Sequence, residues 1–134
     1  METKSAIAIA NGTMITAVMC ESGDYVDLAI CLQDHWSDQD RVKNLISQGT
    51  IESISTESFV VSKNATPALK FFNFNDFMGH FEKYFCEDYY IMDNGIWYYA
   101  GPGRRSVIPL NVQLISLRRG PANFVEQACK LHNH

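Results

Sequence analysis

The sequence predicts an α+β fold: an antiparallel sheet of about five strands, built on two hairpins and packed with three to four helices. Three observations carry this. Asn-Gly occurs twice between β-prone runs, at Asn11-Gly12 and Asn94-Gly95, and both residues tolerate the positive φ of a tight hairpin turn. Between the two lie segments that pair helix-start residues with apolar positions three and four apart. The chain has 134 residues, 46% of them hydrophobic, which suits a single domain spanning 1–134 with one core.

The elements follow in order. Ser5 to Ala10 and Thr13 to Cys20 are the arms of a first hairpin. Ser22-Gly23-Asp24 breaks the strand, and Asp24 suits the N-cap of a helix from Tyr25 to about Asp34. Val26, Ala29, Ile30 and Gln33 lie on one stripe of that helix, with Leu28, Cys31 and Leu32 beside it, so it reads as mostly buried. After a corner at His35-Trp36, Ser37-Asp38-Gln39-Asp40 has the form of a second start, Ser at the N-cap with an acid three residues on. Val42, Leu45 and Ile46 give this helix its apolar face, and Gly49 sits where a C-terminal glycine belongs. Phe59-Val60-Val61 reads as a short strand and Ser62 to Pro67 as a polar loop. Asn73 to Asp76 can cap a helix reaching Phe85, with Phe74, Phe77, Met78, Phe81 and Phe85 as a core stripe. Val107 to Leu117 reads as a strand interrupted at Pro109, which suits a sheet edge, and Ala122 to about Leu131 as a last helix.

Composition narrows the function classes. The net charge of −4 argues against a general nucleic-acid binder, which carries a basic face. The 15 acids are scattered, too dilute for a DNA mimic. Cys20, Cys31, Cys86 and Cys129 form no Cys-x-x-Cys pair, so the reading is reduced, buried thiols in a cytosolic setting, without a metal or other cofactor. The opening METKSAIAIANG has too short an apolar run for a signal peptide, and no stretch approaches the roughly 18 apolar residues of a membrane span. A soluble intracellular protein is expected.

The most informative segment is DYYIMDNGIWYYAGPGRRS, residues 88 to 106. A two-residue turn at Asn94-Gly95 pairs Met92 with Trp97, Ile91 with Tyr98 and Tyr90 with Tyr99. Cross-strand partners share a face, so Met92, Trp97, Tyr90 and Tyr99 lie on one side and Ile91, Tyr98 and Tyr89 on the other. Both faces carry rings. The second must therefore be covered by helices, covered by another subunit, or used for binding. Gly101-Pro102-Gly103 then turns the backbone and frees amides for close approach, and Arg104 and Arg105 offer rigid forks matched to phosphate. Arg118-Arg119 forms a second basic corner, and two such corners at one end would make a local positive patch on an acidic protein. A solvated turn explains the same residues, and the Gly-Lys-Ser/Thr ending of a P-loop is absent. The candidate ligand site is Trp97, Tyr98, Tyr99, Gly103, Arg104, Arg105, Arg118 and Arg119.

No catalytic residues are assigned. His35 reads as packed at the helix corner, His132 and His134 belong to the terminal tail, and no His-x-Thr pair suggests a two-histidine phosphodiesterase. Asp34, Asp38 and Asp40 are explained by helix capping, and Cys20 and Cys31 have no basic sequence neighbour to activate a thiol.

Residues 20 to 55, CESGDYVDLAICLQDHWSDQDRVKNLISQGTIESIS, resemble a family of small phage and prophage proteins. The matching positions are Cys20, Tyr25, His35, Trp36, Ser37, Asp38, Val42, Leu45, Ile46, Gly49, Ile51 and Ser53, and Asp93-Asn94-Gly95 with Trp97-Tyr98 is similar to the family's closing hairpin. The family's Cys-His-Trp-Asp-Gly-Tyr is replaced here by Cys20-Glu21-Ser22-Gly23-Asp24-Tyr25, so any role of that His-Trp is lost. The resemblance extends to phage sponge proteins that sequester cyclic ADP-ribose-type signals of the Thoeris defence system. It implies a compact α+β domain in the host cytoplasm, a homo-oligomer and a role against host immunity. The expected function is sequestration, without degradation, of a cyclic nucleotide-type signal. The alternative is a protein-binding inhibitor of a host defence complex, of the anti-CRISPR type, whose exposed Tyr and Trp act as hot spots. A third reading makes the aromatic face a homodimer interface.

Overall fold

The structure, a computed structural model, describes residues 3–22, 25–103 and 106–115. The fold is α+β. Its strands are β1 (Lys4–Asn11), β2 (Met14–Cys20), β3 (Ile51–Ile54), β4 (Phe59–Val61), β5 (Leu69–Phe71), β6 (Cys86–Asp93), β7 (Ile96–Ala100) and β8 (Ile108–Pro109). The helices are α1 (Tyr25–His35), α2 (Gln39–Ser47), α3 (Phe74–Glu82) and α4, described over residues 110–115. No helix among the described residues is long and apolar enough to cross a membrane.

The eight strands form one open, mixed sheet in the order β4-β3-β2-β1-β6-β7-β8, with β5 also pairing β2. The expectation of about five antiparallel strands is corrected here. At the centre β1 runs parallel to β6, from Ser5–Asp88 to Ile9–Met92, and β2 meets β3 in parallel at Cys20–Ile51. The two parallel junctions join segments far apart in sequence, which local patterning does not reveal.

β1 reads Ser-Ala-Ile-Ala-Ile-Ala, and the period of two sorts large from small. Ile7 and Ile9 face α1, α2 and α4, where they pack with Leu28, Leu32, Trp36, Leu45 and Leu114. Ala6 and Ala8 face α3 and leave room for Phe77, Met78 and Phe81. Both faces are covered, which is why the strand is apolar throughout.

Both hairpins form, with different turns. Asn94 (φ 51°) and Gly95 (φ 80°) are both left-handed and connect the pair Asp93–Ile96, the type I′ pattern. In the first hairpin Asn11 already pairs with Met14. The turn is therefore Gly12-Thr13, with positive φ at Gly12 alone, one residue on from the expected Asn-Gly.

Several element boundaries move. The buried side of α1 centres on Leu28, Ala29 and Leu32, while Val26 is exposed. Asp38, not Ser37, caps α2, because its carboxylate accepts from the amides of Asp40 and Arg41. Ser37 instead donates to the Gln33 carbonyl. Gly49 follows α2 at φ 87°, as predicted. Asn73 caps α3, but the helix ends at Glu82, leaving Phe85 at φ 66° and 81% exposed, outside the core stripe. Strand β8 keeps only two residues of the expected Val107–Leu117 strand, and the chain enters α4 directly after Pro109. Proline cannot extend a ladder, and Leu110 and Leu114 reach the core at helical spacing. Asp24, Cys129, Arg104, Arg105, Arg118, Arg119 and the segment Ala122 to Leu131 lie outside the described residues.

Candidate functional site

The pairing of β6 with β7 matches the predicted register: Tyr90–Tyr99, Ile91–Tyr98 and Met92–Trp97. Its consequence is that the three candidate rings do not all share one surface: Trp97 and Tyr99 lie on one face and Tyr98 on the other. Trp97 is 2% exposed and its indole N–H donates to the Trp36 carbonyl at 2.9 Å. Trp36 in turn donates to the Ser55 carbonyl at 2.7 Å and carries the Arg41 guanidinium 3.7 Å above its ring. Trp97 is thus a core residue that fastens the hairpin to the α1–α2 corner, and no ring face is left for a ligand to stack on. His35, expected to pack there, is exposed, and its carbonyl accepts from the Arg41 guanidinium.

Tyr99 is 8% exposed and belongs to a buried cluster of rings and polar groups. Its ring lies 5.2 Å from Tyr25 and 5.5 Å from Tyr90. Its hydroxyl donates to Asp88 Oδ1 at 2.7 Å, and Gln113 donates to the Tyr25 hydroxyl at 2.6 Å. Burial first, then the hydrogen bond to Asp88 and the charge of its carboxylate, push the Tyr99 hydroxyl above its ordinary pKa. Burial does the same for Tyr90. Both phenols stay protonated at neutral pH and act as donors.

Beside this cluster opens a cavity of about 410 Å³, lined by Tyr99, Ala100, Gly101, Pro102, Ser106, Ile108 and Gln113. Tyr98, half-buried, points to the opposite face and lines a separate cleft of about 430 Å³ with Phe74, Ile91, Asp93, Ser106 and Val107. Ser106 belongs to both cavities. Ser106 therefore sits between them, and Pro102 lines the first. Gly103, at φ 72°, is exposed, and among the described residues no neighbour lies within 4 Å of where a side chain would begin. In sequence, Arg104 and Arg105 fall between Gly103 and Ser106.

The sequence reading missed Tyr25, Asp88 and Gln113. A signal for Asp88 was present. Stepping back by two from Met92 and Tyr90 puts Asp88 on the same buried face, where an acid demands a partner. Nothing local connects Tyr25 with Gln113, 88 residues apart.

Burial pushes the thiols of Cys20 and Cys86 up to about 12 and raises that of Cys31, so all three are neutral and weakly nucleophilic at physiological pH. Among the described residues, no group of three His, Cys, Asp or Glu side chains could hold a metal ion. Comparison of the chain with protein-family models, with curated proteins and with solved structures finds no match.

Proposed function

We propose that the protein is a non-catalytic binding protein that captures a small, anionic, nucleotide-type ligand at the β7–β8 corner and releases it unchanged. In a phage-borne setting this would sequester a cyclic nucleotide immune signal. The observation that carries the reading is the cavity under the Gly101-Pro102 turn. Its size falls in the usual range for small-molecule sites, one wall is aromatic, and Gln113 and Ser106 supply polar groups. Arg104 and Arg105, which follow Gly103 in sequence, would provide the charge that phosphates require, and Gly103 allows close backbone approach. Arg118 and Arg119 are assigned the same supporting role. Tyr99 forms a wall, Tyr98 serves the opposite rim, and Trp97 is structural.

Calorimetry against cyclic dinucleotides, cyclic trinucleotides and cyclic ADP-ribose isomers tests this. Binding of at least one, lost in the Arg104→Glu/Arg105→Glu double variant with unchanged thermal stability, is the expected result. Absence of heat from all of them at micromolar protein removes the proposal.

A second reading, a protein-binding inhibitor of a host defence complex, has its own support. Phe72 and Phe85 are 70% and 81% exposed, and Phe85 occupies the left-handed conformation that a large residue rarely adopts. A host protein retained by the wild type and lost with Phe85→Ser, in the absence of any small ligand, favours this alternative.

A further inference from the structure

A second cavity is created by a fork in the sheet. On its outer side the first half of β2 pairs with β5, ending at Ala17–Leu69, and its last residue pairs with β3 at Cys20–Ile51. Among the described residues, Val18 and Met19 have no partner strand on that side. A cleft of about 410 Å³ opens at this gap, with Ala17, Val18, Met19 and Leu69 as its apolar base. Among the described residues it shares no lining residue with the cavities at the β7–β8 corner.

The walls are fixed. On one side the 62–67 loop is clamped to the end of α2: Thr50 N–H donates to the Thr66 carbonyl at 3.0 Å, and Thr66 N–H donates to the Thr50 hydroxyl at 3.1 Å. Gly49 makes the approach possible, since a Cβ there would stand 2.4 Å from the Thr66 carbonyl oxygen. On the other side the C-terminal end of α3 supplies an aromatic shelf. The His80 ring lies 5.0 Å from Phe81, 5.3 Å from Tyr84 and 5.5 Å from Phe71, held from three directions. Such a shelf suits a flat ring, which would stack or meet it edge to face.

Charge then selects within that class. Among the described residues, Glu21 contributes the cleft's one carboxylate, and neither lysine nor arginine lines it. Glu21 is half-buried, so its field in the cleft is less screened than that of a surface acid. Phosphates and carboxylates are disfavoured, and a cation is favoured.

We propose that this cleft binds a planar aromatic ligand bearing a cationic amine, its ring against His80 and Tyr84 and its ammonium towards Glu21. Tryptamine is a suitable probe, and indole-3-acetate carries the same ring with the opposite charge. Both are titrated into the full chain and followed by calorimetry and amide NMR. Tryptamine is expected to saturate, with shifts confined to the cleft, and indole-3-acetate to bind roughly tenfold weaker or less well still. Tyr84→Ala and Asn64→Trp, both at exposed positions, should abolish binding, the first by removing the shelf and the second by filling the mouth. Glu21→Gln should narrow the preference for tryptamine. Failure of both compounds to bind overturns the proposal, as do equal affinities, or tryptamine binding that survives Tyr84→Ala and Asn64→Trp. The Arg104→Glu/Arg105→Glu variant should leave tryptamine binding intact, which separates this site from the nucleotide site.

Discussion

Trp97 and Tyr99 sit two residues apart on one face of β7, and each has a polar tip that must be satisfied in the interior. The Trp97 indole meets the Trp36 carbonyl, and the Tyr99 hydroxyl meets Asp88. Trp97→Ala should cost about 3–5 kcal/mol by chemical denaturation, because it leaves a large void and strips the Trp36 carbonyl of its donor. Tyr99→Phe keeps the ring but withdraws a donor from a buried carboxylate, with an expected loss of about 1–3 kcal/mol. A loss below about 0.5 kcal/mol for Tyr99→Phe would mean that the hydroxyl does not hold Asp88. The aromatic content and the facing of these rings were legible in the sequence, since the turn fixes the register and the register fixes the face. Their burial was not. Whether a ring-bearing face is wet or dry depends on which helix lands on it, and that is decided by residues such as Leu28 and Leu114, remote in sequence.

Elements were legible where a terminus or turn carries its own chemistry. The Asn94-Gly95 turn and the Gly49 stop rest on left-handed backbone that few residues adopt, and the Asn73 cap rests on a side-chain oxygen that accepts from the Asp76 amide. The short strands β3 and β5 escaped detection because three or four residues make too little pattern, and they exist by virtue of the edge of β2 that receives them. α4 left a trace: Pro109 just before it has the fixed φ that helix starts accept, and Leu110 and Leu114 are four apart. Gly49→Ala is the sharpest test at this scale. It combines a left-handed backbone with a collision against the Thr66 carbonyl, so a loss of about 2–3 kcal/mol is expected. Asp38→Ala should cost only about 1 kcal/mol, the usual value of an N-cap. If Gly49→Ala proved no more harmful than Asp38→Ala, the loop clamp would have to be loose.

The whole molecule has an alkaline weakness. Cys20 and Cys86 move from 9.0 to about 12 on burial, and Tyr90 and Tyr99 also rise above 10.0. A folded-state pKa above the unfolded one means that the stabilising protonated form is fully retained below the unfolded value and lost as pH rises through the folded value. The urea midpoint should therefore be level up to about pH 8 and fall progressively from pH 9 towards 12. A midpoint unchanged at pH 11 would show that these groups titrate freely in the native state.

The seam between β1 and β6 also makes the protein divisible. Residues paired across it, such as Ser5 and Asp88, are 83 positions apart, so the amino-terminal and carboxyl-terminal halves each own one side of the central ladder and neither owns both. A break after Asn64, in the exposed 62–67 loop, would sever the backbone without touching that ladder. Pieces 1–64 and 65–134, mixed in equal amounts, should complement one another and restore the emission of Trp36 and Trp97, which come from opposite pieces and meet at a single hydrogen bond. Joined to the two parts of a split reporter, they would turn reassembly of this sheet into a signal that can be counted in living cells.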